Sequence, residues 1–117
     1  MSTLILATET PVAFREAQTA VDRWVSQYKE GYFSPLTNLA RLSEEVGELA
    51  REINHRFGEK PKKADEAEGD LAMELGDILF VVVCLANSQG IDLDEAFAAV
   101  MRKVATRDAE RWTRKER

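Results

Sequence analysis

Residues 74–86 read ELGDILFVVVCLA, and the assignment of this stretch decides the fold. Ile78 to Leu85 is short and rich in β-branched residues, so by itself it also fits a buried strand. Leu71, Leu75, Ile78, Leu79 and Val82 extend the pattern upstream at helical spacings, which favours a helix running from Glu66 to Asn87. The second half of that helix is apolar all round, which predicts burial on every side. In so small a protein such burial calls for a subunit boundary, because soluble monomers avoid large exposed apolar patches. The expectation is an all-α, four-helix bundle completed by oligomerisation, as a homodimer or a homotetramer.

The other helices announce themselves by their caps. Thr10-Pro11 is an N-cap followed by proline at the first helical position, and Phe14, Ala17, Val21, Trp24 and Val25 follow it, ending near Tyr28. Ser34-Pro35 repeats the signature and opens a helix whose apolar stripe is Leu39, Leu42, Val46, Leu49, Ile53 and Phe57. Gly58 to Gly69 is polar, with a proline inside, and reads as a surface loop. Gly90 is a stop, and Asp92 with Glu95 three residues on is a capping box for a last helix carrying Leu93, Phe97, Val100, Met101 and Val104.

The 117 residues predict a single domain, residues 1–117, with 44% hydrophobic content to build a core. A net charge of −5 argues against nucleic acid as a partner, although Arg102, Lys103, Arg107, Arg111, Arg114, Lys115 and Arg117 crowd the C-terminal end. The lone Cys84 sits in the apolar run, reads as a small buried hydrophobe, and fits a reducing cytoplasm. Leu4 to Ala7 is too short for a signal peptide and lacks a basic flank, and no stretch reaches the roughly 18–20 apolar residues that span a bilayer, so no membrane partner is expected.

Two acidic clusters carry the chemistry. Glu45 and Glu48 lie three apart, as do Glu74 and Asp77, so each pair shares a helix face. An isolated Glu44-Glu45-x-x-Glu48 run is common on solvated helix surfaces. Glu74 and Asp77 are harder to dismiss, because they interrupt an apolar segment and Asp is a poor helix former. If the two helices pack antiparallel, four carboxylates converge and repel, and a hard divalent cation relieves that repulsion. Oxygen-only ligands favour Mg²⁺ or Mn²⁺.

EEVGELA, then ELGDILF with 25 residues between Glu48 and Glu74, resembles the signature of the MazG-type nucleotide pyrophosphohydrolases, E-E-x-x-E and E-x-x-D. The resemblance covers nearly the whole chain and matches the short, single-motif branch. It implies an all-α, Mg²⁺-dependent enzyme that splits a nucleoside triphosphate between the α and β phosphates, giving monophosphate and pyrophosphate, with nucleotide-pool house-cleaning as its purpose. Carried over by position, Glu45, Glu48, Glu74 and Asp77 match the metal ligands. Glu45 or Glu44 is then the proton acceptor for the attacking water.

Lys103 and Arg107, four apart on the last helix, are candidate phosphate contacts, against the plainer reading of a solvated basic face. The resemblance makes His55 a candidate base contact, where the residues alone allow a helix-end histidine meeting the dipole. Trp24, Tyr28, Tyr32 and Phe33 cluster between the first two helices; such aromatics are mostly core, but one or two of them, Trp24 foremost, can stack on a nucleobase. Three rival classes remain at this point. A di-iron bundle needs two Glu-x-x-His motifs and only one is present, Glu52 with His55. The others are a non-catalytic helical dimerisation module and an all-α dUTPase-like deoxynucleotide hydrolase.

Overall fold

The computed structural model describes residues 13–58 and 70–115. Four helices follow one another: α1 (Ala13–Val25), α2 (Pro35–Phe57), α3 (Leu71–Ser88) and α4 (Leu93–Arg107). The ELGDILFVVVCLA stretch is helical throughout, and no strand occurs among the described residues. Thr10-Pro11 and all but Gly58 of the expected Gly58–Gly69 loop lie outside the described residues, and the helix expected from Glu66 begins at Leu71. Asp70 is the observed N-cap of α3, accepting from the Met73 N–H at 3.2 Å.

The other caps form as their residues dictate. Ser34 Oγ accepts from the Thr37 N–H at 3.2 Å, with Pro35 at the first helical position. Asp92 Oδ1 accepts from the Asp94 and Glu95 N–H groups at 2.9 and 3.4 Å. Gly90 turns the chain between α3 and α4 at φ +66°, a conformation costly for residues with a Cβ. The first helix ends at Val25 rather than near Tyr28, and Gln27 and Tyr28 donate back three residues in a tighter turn.

α3 is the hub. It pairs most extensively with α2 and also packs on α1, while α4 packs chiefly on α1. Val81, Val83, Cys84 and Ala86 are buried, so the thiol sits in the core as expected. Burial is not all round, however: Leu75 and Leu79 are about half exposed within the chain. α3 is also, by its 18 residues and mean hydropathy of 1.7, the one described helix long and apolar enough to cross a membrane, contrary to the sequence expectation. That window includes Glu74, Gly76 and Asp77; the uninterrupted apolar run is only Ile78 to Ala86.

The expected apolar stripe of α2 divides. Leu42 and Leu49 are half-buried, but Leu39, Val46, Ile53 and Phe57 are 42–74% exposed, joined by Leu36 at 78%. The inward face of α2 is instead Asn38, Leu42, Glu45, Leu49 and Glu52. The physical reason is rotation. At 100° per residue the carboxylates and the apolar stripe cannot both face α3, and the stripe of residues 36, 39, 46, 53 and 57 turns outward. Phe97, Val100, Met101 and Val104 of α4 are likewise 37–44% exposed.

A polar latch fixes α1 against the α3–α4 corner. Gln18 Nε2 donates to Asn87 Oδ1 at 2.9 Å and to the Ile91 carbonyl at 2.7 Å, and its Oε1 accepts from the Leu93 N–H at 2.9 Å. Asn87 Nδ2 in turn donates to the Gln18 carbonyl and to the Tyr32 hydroxyl, both at 3.0 Å. Tyr32 donates to Asp22 at 2.7 Å. The short loop before α2 is thereby tied to α1 and to the C-terminal end of α3.

Candidate metal centre and adjoining cavity

Antiparallel packing of α2 on α3 aligns the two acidic clusters. Glu45, Glu74 and Asp77 each bring one carboxylate oxygen within 4.8 Å of the others. All three side chains are half-buried. Glu74 Oε2 is fully buried and has no hydrogen-bond partner. Burial, and then the charges of Glu48, Asp77, Glu45 and Glu52, hold the Glu74 carboxyl above its ordinary value. A buried acceptor left unpartnered among like charges is costly in a protein, and a hard divalent cation removes that cost. The residues present therefore fit such an ion: oxygen donors only, from two rigid helices, with no histidine or cysteine among them.

Glu48 and Glu44 are more exposed than these three. Glu48 lies close enough for its charge to be the second cause of the Glu74 shift. Glu52 joins the group from the next turn of α2. It is 7% exposed and pairs with Arg56 at 3.1 Å. Sequence reasoning passed over Glu52 as a metal-site neighbour, although Glu45, Glu48 and Glu52 at offsets of three and four carry the required signal.

Beside the acidic group lies a cavity of about 470 Å³. Trp24, Tyr28, Phe33 and Phe80 give it aromatic walls, and Asn38, Arg41, Glu30 and Cys84 also line it. Trp24 stands edge-on to Phe80, centroids 6.2 Å apart, and tilted to Tyr28 at 5.1 Å. The Arg41 guanidinium lies over the Phe33 ring at 5.2 Å. Arg41 precedes Glu45 by one helical turn and Phe80 follows Asp77 by about one, so the cavity begins about 5–6 Å along the helices from the carboxylates. Arg41 and Asn38 carried no functional reading in the sequence, because a lone Arg or Asn on an amphipathic helix is unremarkable until its face is known.

The remaining candidates are scattered. Trp24 lines the cavity and is 53% exposed, so it presents ring surface to it. His55 is half-buried on α2 but fourteen residues beyond Arg41, about 21 Å along the axis and on the other side of the carboxylates. Trp24 and His55 thus do not line one pocket. Lys103 and Arg107 are exposed on α4. Arg107 already makes a two-pronged pair with Asp108, at 3.2 and 3.1 Å.

Comparison with known proteins gives the family of the chain. YpjD of Bacillus subtilis is 62% identical over 102 residues, covering 87% of this chain and 92% of that one. YvdC of the same organism is 28% identical over 96 residues, covering 74% and 91%. The crystal structure of B. subtilis YpjD superposes with a TM-score of 0.70 over 88% of this chain and 97% of that one, at 54% identity. The Bacillus-conserved MazG protein, a nucleotide pyrophosphohydrolase, superposes with a TM-score of 0.67 over 88% and 93%, at 47% identity. Residues 33–112, from the cavity's Phe33 through both acidic helices and past the end of α4, match the MazG nucleotide pyrophosphohydrolase domain. The chain belongs to the MazG nucleotide pyrophosphohydrolase family, hydrolases that act on phosphoric anhydrides.

Proposed function

We propose that the protein hydrolyses nucleoside or deoxynucleoside triphosphates to the monophosphate and pyrophosphate with Mg²⁺ or Mn²⁺. The observation that carries this reading is the three-carboxylate group with its orphaned Glu74 oxygen, one turn from an aromatic cavity. Glu45, Glu48, Glu74 and Asp77 would hold the ion, which would supply neutralisation of phosphate oxygens and a more acidic attacking water.

The protein's own groups do the rest. A carboxylate oxygen of Glu45 or Glu44 accepts the water proton as oxygen attacks the α-phosphorus in line. The α–β anhydride bond breaks, and pyrophosphate leaves with the electron pair. Trp24 stacks on the base, and the turn of helix between cavity and carboxylates leaves room for the sugar. Lys103 and Arg107 balance the charge of the outgoing pyrophosphate, while a base stacked on Trp24 leaves His55 of the same chain out of reach.

Association of copies belongs to the same proposal. The outward stripe of α2 and the exposed face of α4 are too apolar for an isolated chain. A homodimer, or a dimer of dimers, covers them and brings α4 of one copy toward the carboxylates of another. The lone, buried Cys84 and a nucleotide substrate fit a cytoplasmic enzyme that house-cleans the nucleotide pool.

Purified protein should release pyrophosphate from at least one triphosphate with Mg²⁺ or Mn²⁺, and EDTA should abolish the release. Diphosphate and orthophosphate as products would mean that a different bond is cut and would end this reading.

A further inference from the structure

We propose that the aromatic cavity selects nucleobases bearing an exocyclic amino group, and that Asn38 is the residue that selects them. The proposal rests on the reading of the cavity as the base site. Asn38 is 1% exposed and lines the cavity. Its Nδ2 donates to the Phe33 carbonyl at 3.3 Å, which fixes the orientation of the amide, since the flipped form would set oxygen against oxygen. Oδ1 is then left buried with no donor. Native proteins rarely leave such an acceptor unsatisfied, and one on a cavity wall is satisfied by what enters the cavity.

The other polar groups on the wall narrow the choice. Glu30, on the loop before α2, adds a second acceptor. Tyr32 also lines the cavity, but its hydroxyl is engaged with Asp22 and Asn87. Among the described lining residues Arg41 is the one cation, and it is stacked on Phe33. The Trp24 indole N–H and the Tyr28 hydroxyl are further donors on the wall, yet none of these reaches Asn38 Oδ1, which is left for an N–H of the ligand. An exocyclic amino group is the one base substituent that supplies two N–H bonds at a single position. The amino groups of cytosine, adenine and guanine satisfy Asn38 Oδ1 and leave a second N–H for Glu30. Uracil, thymine and hypoxanthine each offer a ring N–H flanked by at least one carbonyl. Presenting that N–H to Asn38 turns a carbonyl toward a carboxylate. A site whose buried acceptor goes unpaired rejects the wrong substrate strongly.

This reading has a consequence for biological purpose. Deaminated nucleotides, which carry oxo groups where amino groups stood, become the poorer substrates. The enzyme then controls ordinary amino-bearing nucleotides rather than sanitising deamination products.

The test is a substrate panel matched in sugar and phosphates: CTP against UTP, and ATP against ITP, each pair differing by an amino-for-oxo exchange. The wild-type enzyme should favour the amino member in kcat/KM by about ten- to a hundredfold. Asn38→Leu, close in shape and lacking the acceptor, should bring both ratios near one, chiefly by loss of the amino-bearing substrates. Pyrophosphate release from every triphosphate at equal rates, or a preference for UTP or ITP, would overturn the selection and leave the reaction standing. Calorimetry of CMP and UMP binding to the wild type separates the two in the other direction. Tighter CMP binding without any turnover would uphold the selection and defeat the reaction, and equal binding defeats the selection even if Asn38→Leu does not fold.

Discussion

The α2–α3 pair and α4 carry the same kind of signal and come to different ends. In each, charged residues three or four apart share a helix face. On α2 and α3 a second helix lies opposite, and Glu45, Glu74 and Asp77 converge to within 4.8 Å. On α4, among the described residues, no ion pair ties Lys103 or Arg107 to another helix. Arg107 turns to Asp108 instead, and Lys103 stays in solvent. Spacing along one helix thus states which residues point together; only the neighbouring helix states at what they point. Function on α4 requires something brought to it, whether substrate or a second copy of the chain.

The largest effects should come from the side where convergence is intrinsic. Asp77→Asn and Glu48→Gln should each cut turnover by about a thousandfold or more, the loss of several kcal/mol of charge stabilisation in the transition state. The apo fold should remain intact. Removing a negative charge relieves repulsion around Glu74, so thermal stability without metal should hold or rise. A variant that unfolds in EDTA where the wild type stays folded would make these carboxylates structural.

Next comes the link between the two regions. Leu39→Glu combined with Ile53→Glu places charges on the outward stripe of α2, where the wild-type side chains are 56% and 42% exposed in the single chain. Neither position faces the carboxylates, so the helix itself should survive. Light scattering should find wild-type protein as a dimer or larger and the double variant near the 13.2 kDa of one chain. A wild-type monomer at micromolar concentration would leave α4 with no route to the metal side.

How far the sequence reached follows from the same contrast. Caps and periodicity located all four helices, because Ser34, Gly90 and Asp92 act through bonds to their own neighbours. The carboxylates were legible as pairs for the same reason. The facing of α2 was not. Leu39, Val46 and Ile53 make as good a stripe as Leu42 and Leu49, and counting apolar residues cannot tell a core from a subunit surface. Asn38 and Glu52 stayed invisible as members of the site because their meaning is burial, which α3 imposes. The cavity was half visible, as an aromatic cluster, but its polar wall depends on how the loop held by Tyr32 closes over α2.

On α4 the expected effects are smaller. Lys103→Ala and Arg107→Ala should each lower kcat/KM by about ten- to a hundredfold, the roughly 1.5–3 kcal/mol of a lost charge-assisted hydrogen bond. Metal binding by calorimetry should stay near wild type, since neither is a ligand. Arg102, on another face of the helix, is the control, and Arg102→Ala should change little. If all three variants match the wild type, the basic face of α4 is only solvated surface, and the contrast between the regions becomes absolute.

The smallest effect tests what holds α4 in place. Asp92 caps α4 and accepts from Arg15 Nη2 of α1 at 3.1 Å, tying the helix to α1, its chief packing neighbour. Burial pushes the Asp92 carboxyl up, but the Glu95 N–H, the Arg15 side chain and the Asp94 N–H outweigh it and leave it below its ordinary value. A carboxyl whose pKa is depressed on folding contributes stability that is present above its unfolded value, near 3.8, and lost as pH falls through the folded value. Asp92→Ala should therefore melt at lower temperature than the wild type at neutral pH. The gap should hold to about pH 5 and narrow in stronger acid, as the wild-type carboxyl takes up its proton. Asp92→Asn keeps a cap acceptor without the charge, so it should fall between the two at pH 7 and vary less in its own right with acid. A wild-type-to-Ala gap that persists undiminished into strong acid would show that Asp92 acts through the shape of the cap rather than through its charge.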